Sequence, residues 1–307
     1  MIVQGRTSPS STTSPSRAAG HRPGPRFRWK WVIAGVAALV LSSILIAAPL
    51  AAQGRDHGPS LAAAHGADGP PASLPANAKA VKVPILMYHY VDATPPRVGP
   101  HAEDLTVRTR DFLAQMDFLA KHGYHAVTLE QVYAAMVGGG SLPTKPVALT
   151  FDDGGLDDYT VAYPILRSHD FVATFFVISG SVGGPSTMTW TQLREMQAAG
   201  MAIESHTANH GDLVASSAAA LGAELNESRK TIEAELGRAP LVVSYPFGRY
   251  DERVIDAARD AGYLIAVTTH QGRILTPDSV YCWPRVHVAA MESLKGFEAG
   301  LGVPVTL

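Results

Sequence analysis

From Val83 onward the chain repeats one unit: a short apolar run that reads as a strand, a polar turn, then an amphipathic stretch that reads as a helix. Val83–Tyr88, Val147–Phe151, Val172–Ile178, Met201–Glu204, Leu241–Tyr245, Leu264–Thr268 and Tyr281–Val288 carry the strand signal. Most of these runs are apolar at successive positions, so both of their faces need cover. Between them, Asp111–His122 sets Phe112, Met116 and Leu119 on one helical face, and Tyr159–Ser168 reads as a second helix. Thr189-Trp190-Thr191-Gln192 has the form of a capping box opening a helix that ends at Gly200, and Ala218–Leu236 is a long helix stopped by Gly237. Glu252–Ala261 and Met291–Ala299 complete the helices. This alternation predicts an α/β fold with a parallel sheet, closed or nearly closed, whose chemistry sits at the C-terminal ends of the strands.

The first 82 residues are of another kind. Residues 1–30 hold six basic side chains and no acidic one, in a Ser/Pro/Gly-rich context, and read as a disordered basic tail. Residues 31–52 are 22 consecutive positions without a charge, long enough to cross a bilayer as a helix. The basic tail would stay cytoplasmic and everything after the span would face outward. A cleaved signal peptide is the rival reading and gives the same address, in secreted form. Residues 53–82, rich in Ala, Gly, Pro and His, read as a flexible linker. Without the tail's six, 19 basic residues face 27 acidic ones, which argues against a nucleic-acid-binding body. The single cysteine, Cys282, excludes an intramolecular disulfide.

Two polar clusters stand at predicted strand ends. Thr150-Phe151-Asp152-Asp153-Gly154 closes one apolar run, and His206-Thr207-Ala208-Asn209-His210 follows another. Adjacent Asp side chains point in different directions, so one can bind a metal while the other stays free. Four-residue spacing places two imidazoles on one side of a helical turn. An Asp-His-His set with an open position suits one divalent ion, Zn²⁺ first, with Co²⁺, Ni²⁺ or Mn²⁺ as alternatives. A free carboxylate beside such a set is a hydrolase arrangement.

These motifs, with Tyr245-Pro246-Phe247-Gly248, Pro84-Ile85-Leu86-Met87-Tyr88-His89 and Ala173-Thr174-Phe175-Phe176-Val177, resemble the polysaccharide deacetylases of the NodB-homology type, carbohydrate esterase family 4. The resemblance implies a distorted (β/α) barrel of about seven strands over residues 83–307, and removal of N-acetyl groups from a glycan. It implies Asp152 as the base, and Asp153, His206 and His210 as the metal ligands. It places Tyr245 and Phe247 on the substrate and oxyanion side, with Phe247 offering its backbone N–H. Trp190 either stacks on a sugar or packs its helix.

The sequence departs from the family pattern at Val243, where many members carry an Arg that orients the catalytic Asp. Arg285 is the candidate replacement. His287, two residues on and therefore on the same strand face, is the candidate acid for the leaving amine. The expected activity is metal-dependent deacetylation of an extracytoplasmic N-acetylglucosamine polysaccharide. The alternatives are an O-acetyl esterase on xylan-like glycans and a catalytically silent glycan-binding module.

Overall fold

The computed structural model describes residues 74–92, 102–290 and 293–302. Seven parallel strands close a ring. They are β1 (Ile85–Tyr88), β3 (Pro146–Phe151), β4 (Thr174–Val177), β5 (Ala202–Ser205), β6 (Val242–Ser244), β7 (Ile265–Gln271) and β8 (Trp283–His287). Each pairs with the next in this order, and β8 returns to β1, with Val286 opposite Leu86 and His287 opposite Met87. The β7–β8 ladder is irregular between Val267 and Gln271. An eighth parallel strand, β2 (His125–Val127), pairs with the first half of β3 without entering the ring.

Strand alternation sorts the side chains. Leu86, Leu149, Phe151, Phe175, Ile203 and Val286 face outward and pack under the helices α1 (Thr109–Lys121), α3 (Tyr163–Ser168), α4 (Trp190–Ala198), α5 (Ala218–Leu236) and α7 (Leu294–Leu301). Ile85, Ala148, Phe176, Val242, Ile265, Val267 and Trp283 form the other cluster, inside the ring. The helix α2 (Leu129–Met136) adds Leu129, Val132, Tyr133 and Met136 to this inner cluster and so plugs one end of the barrel. At the same end Glu204 accepts the N–H groups of Leu241 and Val242 at 2.7 Å and pairs with Arg238, which also binds Glu130 of α2. Val243 and Tyr245 instead pack outward with Leu221 and Leu225 of α5 and with Val254 of α6 (Glu252–Asp260).

Several expected boundaries change. The long helix α5 has the expected limits, with Gly237 left-handed at φ 70° and its N–H returned to the Glu233 carbonyl. The last helix starts three residues late, because Ser293 caps it by accepting the Gly296 N–H. Residues 74–82, expected in the linker, belong to the folded body. Val81–Lys82 pairs antiparallel with Ile274–Leu275, and Leu74 and Val81 pack on the inner cluster. The expected tail and the 31–52 span lie outside the described residues, and among those described no helix is long and apolar enough to cross a membrane.

Candidate active site

β3 delivers both carboxylates at its C-terminal end. Asp152 continues the inward row and is 2% exposed. Asp153 adopts a left-handed backbone at φ 74°, which turns its side chain away from its neighbour's path. His206 follows β5 and His210 sits four residues further along, with Thr207 at φ 66° and His210 at φ 59°. The histidine spacing is therefore not helical, as first expected. A tight loop with two left-handed residues brings the rings together, 4.7 Å apart at 70°. Among the described residues six non-glycine positions have positive φ, and four of them (Asp153, Thr207, His210 and Phe247) belong to this site. Backbone strain persists where surrounding contacts over-determine it.

Those contacts are specific. His210 N–H donates to Thr207 Oγ1 at 3.0 Å, and Thr207 N–H donates to Ser205 Oγ at 3.1 Å. Glu224 of α5 holds the loop from one side: its carbonyl accepts the Ala208 N–H at 3.0 Å and its carboxylate accepts the Asn209 N–H at 2.8 Å. Gly180 holds it from another, donating its N–H to the Ala208 carbonyl at 2.8 Å. A Cβ at Gly180 would lie 2.7 Å from that same oxygen, so the approach requires glycine.

Asp153, His206 and His210 present one ligand atom each within 4.8 Å of one another. Asp153 Oδ1 lies 3.5 Å from His206 Nε2 and 3.8 Å from His210 Nε2. His206 Nδ1 contacts the Ser244 carbonyl at 2.8 Å. A carbonyl only accepts, so Nδ1 carries the proton and the Nε2 lone pair faces the Asp153 oxygen. Burial, then the neighbouring His206, keep His210 below the usual imidazole range and hence neutral. Two imidazole nitrogens and one carboxylate oxygen fit a divalent transition-metal ion.

Asp152 is kept out of that set by Arg285. The guanidinium of Arg285, fully buried on the inner face of β8, donates from Nη1 to Asp152 Oδ1 at 2.8 Å and from Nη2 to Oδ2 at 2.7 Å. It also donates to the Thr268 carbonyl at 2.8 Å, Thr150 Oγ1 at 3.2 Å and Ser244 Oγ at 3.1 Å. Burial alone would raise the Asp152 carboxyl, but the charge and hydrogen bonds of Arg285 hold it well below the usual carboxylate range. Val243, at the position where the family's Arg was sought, is buried on the outward face and cannot reach.

The other expected residues divide. His287 reaches the mouth, its ring 6.5 Å from His89, and burial lowers the pKa of both. His89 Nδ1 and His287 Nε2 are buried with no hydrogen-bond partner among the described residues. Phe247, at φ 60°, is 59% exposed, with its ring against His210 at 4.7 Å. The expected placement of Tyr245 on the substrate side is not what the structure has. One residue past inward-facing Ser244, the Tyr245 ring turns outward, is 1% exposed and stacks on Tyr250. Trp190, first residue of α4, packs partly buried against the outer cluster. Two residues not foreseen also join the site. Ser244 contacts Asp152 and Arg285 through Oγ and His206 through its carbonyl, and Tyr90 donates to Asp153 Oδ2 at 2.5 Å.

Comparisons with known proteins identify the family of the chain. Residues 139–266 match the family model described as polysaccharide deacetylase. YxkH of Bacillus subtilis (strain 168), itself classed with the polysaccharide deacetylases, is 33% identical over 221 residues, 72% of this chain and 76% of that one. The chain belongs to the polysaccharide deacetylase family. The Streptococcus pyogenes deacetylase PplD, solved with acetate, matches this deacetylase at TM-score 0.66 and 31% identity, covering 72% of this chain and 98% of that one. A poly-β-1,6-N-acetyl-D-glucosamine N-deacetylase of Staphylococcus aureus (strain MSSA476) is 24% identical over 201 residues, 61% of this chain and 69% of that one.

Proposed function

We propose that this polysaccharide deacetylase is metal-dependent, uses Zn²⁺, and removes N-acetyl groups from an N-acetylglucosamine-containing polysaccharide outside the cytoplasmic membrane. The observation that carries the reading is the division of the Asp pair: Asp153 lies within 3.8 Å of the Nε2 atoms of His206 and His210, while Asp152 is tethered by Arg285. A structural metal site needs no such second carboxylate, and a glycan-binding module needs no base. The N-acetylglucosamine reading is supported by the substrate in the staphylococcal relative's name. The outside address, like the anchor at 31–52, rests on the sequence pattern alone.

The roles follow from position. A divalent ion held by Asp153, His206 and His210 supplies Lewis acidity toward the acetyl carbonyl and the attacking water. Asp152 takes the proton from that water. Oδ2 accepts from both Arg285 and Ser244 Oγ, while Oδ1 spends one lone pair on Arg285 and keeps another, so the bidentate tether orients the base and leaves Oδ1 to take the proton. The Phe247 N–H donates to the oxyanion. His287, on the inner face of β8 beside Arg285, gives the proton to the leaving amine.

Acetate release is the test, with poly-N-acetylglucosamine and acetylxylan compared on metal-loaded and chelator-stripped protein. Release from the N-acetylated glycan, lost on stripping and restored by Zn²⁺, is expected. Release from acetylxylan alone would replace the reading with O-deacetylation. Binding without release from either glycan would leave a glycan-binding module.

A further inference from the structure

We propose that Tyr90 is a positioning residue of the metal centre, fixing Asp153 as a ligand through a single oxygen; this rests on the metal-dependent reading above. Asp153 divides its two oxygens. Oδ1 is the atom within 3.5 and 3.8 Å of the two histidine Nε2 atoms. Oδ2 accepts the phenol of Tyr90 at 2.5 Å, the length of a charge-assisted O–H···O⁻ bond. An oxygen engaged in this way is turned from the histidine pair, so Asp153 offers one donor atom and not two.

Tyr90 is itself held in place. It begins the two-residue strand Tyr90–Val91, which pairs in parallel with Thr106–Val107. The N–H of Val91 donates to Asp157 Oδ2 at 2.8 Å, so the backbone beside Tyr90 is tied to the turn that follows the Asp pair. The Tyr90–Val91 strand and the loop after β3 thus meet twice, once through each of its residues. Asp153, like His210, has a left-handed backbone, a conformation uncommon for a side-chain-bearing residue, and gains from such support. His206 has a comparable support in the Ser244 carbonyl. Outer partners of this kind orient a ligand and tune its basicity.

The experiment titrates Co²⁺ into the chelator-stripped full-length chain and reads affinity and the visible absorption band together. Tyr90→Phe keeps the ring and deletes the donor. Its expected Co²⁺ Kd is about 10–100-fold weaker than wild type, with a shifted band, because Asp153 is then free to present both oxygens. In an Asp153→Asn background the same change is expected to add nothing, since the acceptor charge through which Tyr90 acts is gone. Wild-type affinity and an unmoved band in Tyr90→Phe would overturn the role while leaving the metal site intact. A wild-type chain that binds neither Co²⁺ nor Zn²⁺ would overturn the metal-dependent reading, and the Tyr90 role with it.

Discussion

Arg285→Ala removes the group that most shapes the site. Five donated hydrogen bonds disappear, two of them the bidentate pair to Asp152, and the carboxylate is left with Ser244 Oγ at 3.2 Å. Asp152 stays buried, so deletion of one partner leaves an uncompensated charge and costs about 3–5 kcal/mol of stability. For a domain of this size that lowers Tm by about 6–20 °C. The sign of the pH dependence also reverses. In the wild type Asp152 is held below its unfolded value of about 3.9, so its stabilisation is present above that pH and lost only as pH falls below it. In the variant burial acts without its opponent, the folded pKa lies above the unfolded one, and stability declines as pH rises from about 4. Thermal unfolding of chelator-stripped protein between pH 4 and 7 should therefore show the gap between wild type and variant widening with pH. The kcat for acetate release should fall about 10–1000-fold, equivalent to about 1.4–4 kcal/mol. Arg285→Lys should recover only part of this, since an ammonium cannot reproduce the fork. An Arg285→Ala enzyme with wild-type turnover and a gap independent of pH would refute the tether.

Further outcomes follow from the same geometry. Asp152→Asn should abolish acetate release while elemental analysis still finds metal, whereas His206→Ala or His210→Ala should remove most of the metal. Gly180→Ala, which places a Cβ 2.7 Å from the Ala208 carbonyl, should push the histidine loop and weaken Zn²⁺ binding about tenfold in a competition titration; unchanged affinity would show that the loop tolerates the shift. Protease added to intact cells should digest the catalytic body, and protection until lysis would contradict the outward topology.

The sequence exposes the part of the site that residue type alone betrays. Asp152, Asp153, His206 and His210 stand at the ends of apolar runs, where a parallel barrel keeps its chemistry. Arg285 was reachable because a buried base demands a partner and strand parity ties Arg285 to His287. Ser244 and Tyr90 were not reachable. A Ser at a strand end and a Tyr after a strand are ordinary residues, and only the folded barrel brings them to Asp152 and Asp153 across 92 and 63 positions. The plug was hidden for another reason. β2 has three residues and α2 eight, too short for periodicity to declare either one. Tyr245 misled because an aromatic inside a family motif looks functional, whereas strand alternation places it outward.

Ring closure through β8 and β1 also sets when the chemistry can exist. Arg285 and His287 lie on β8, the last strand among the described residues; Arg285 meets Asp152 at the end of β3, and His287 meets His89 just after β1. A chain emerging from the ribosome carries Asp152, Asp153, His206 and His210 long before it has the tether of Asp152. Until about residue 287 is free to fold, the barrel has an open seam between its first and seventh staves, and the base has no fixed direction. The site is thus incomplete until β8 joins the barrel, when nearly all of the described chain is in place. A product ending before Trp283 would lack the seam, the tether and the proton donor in a single event.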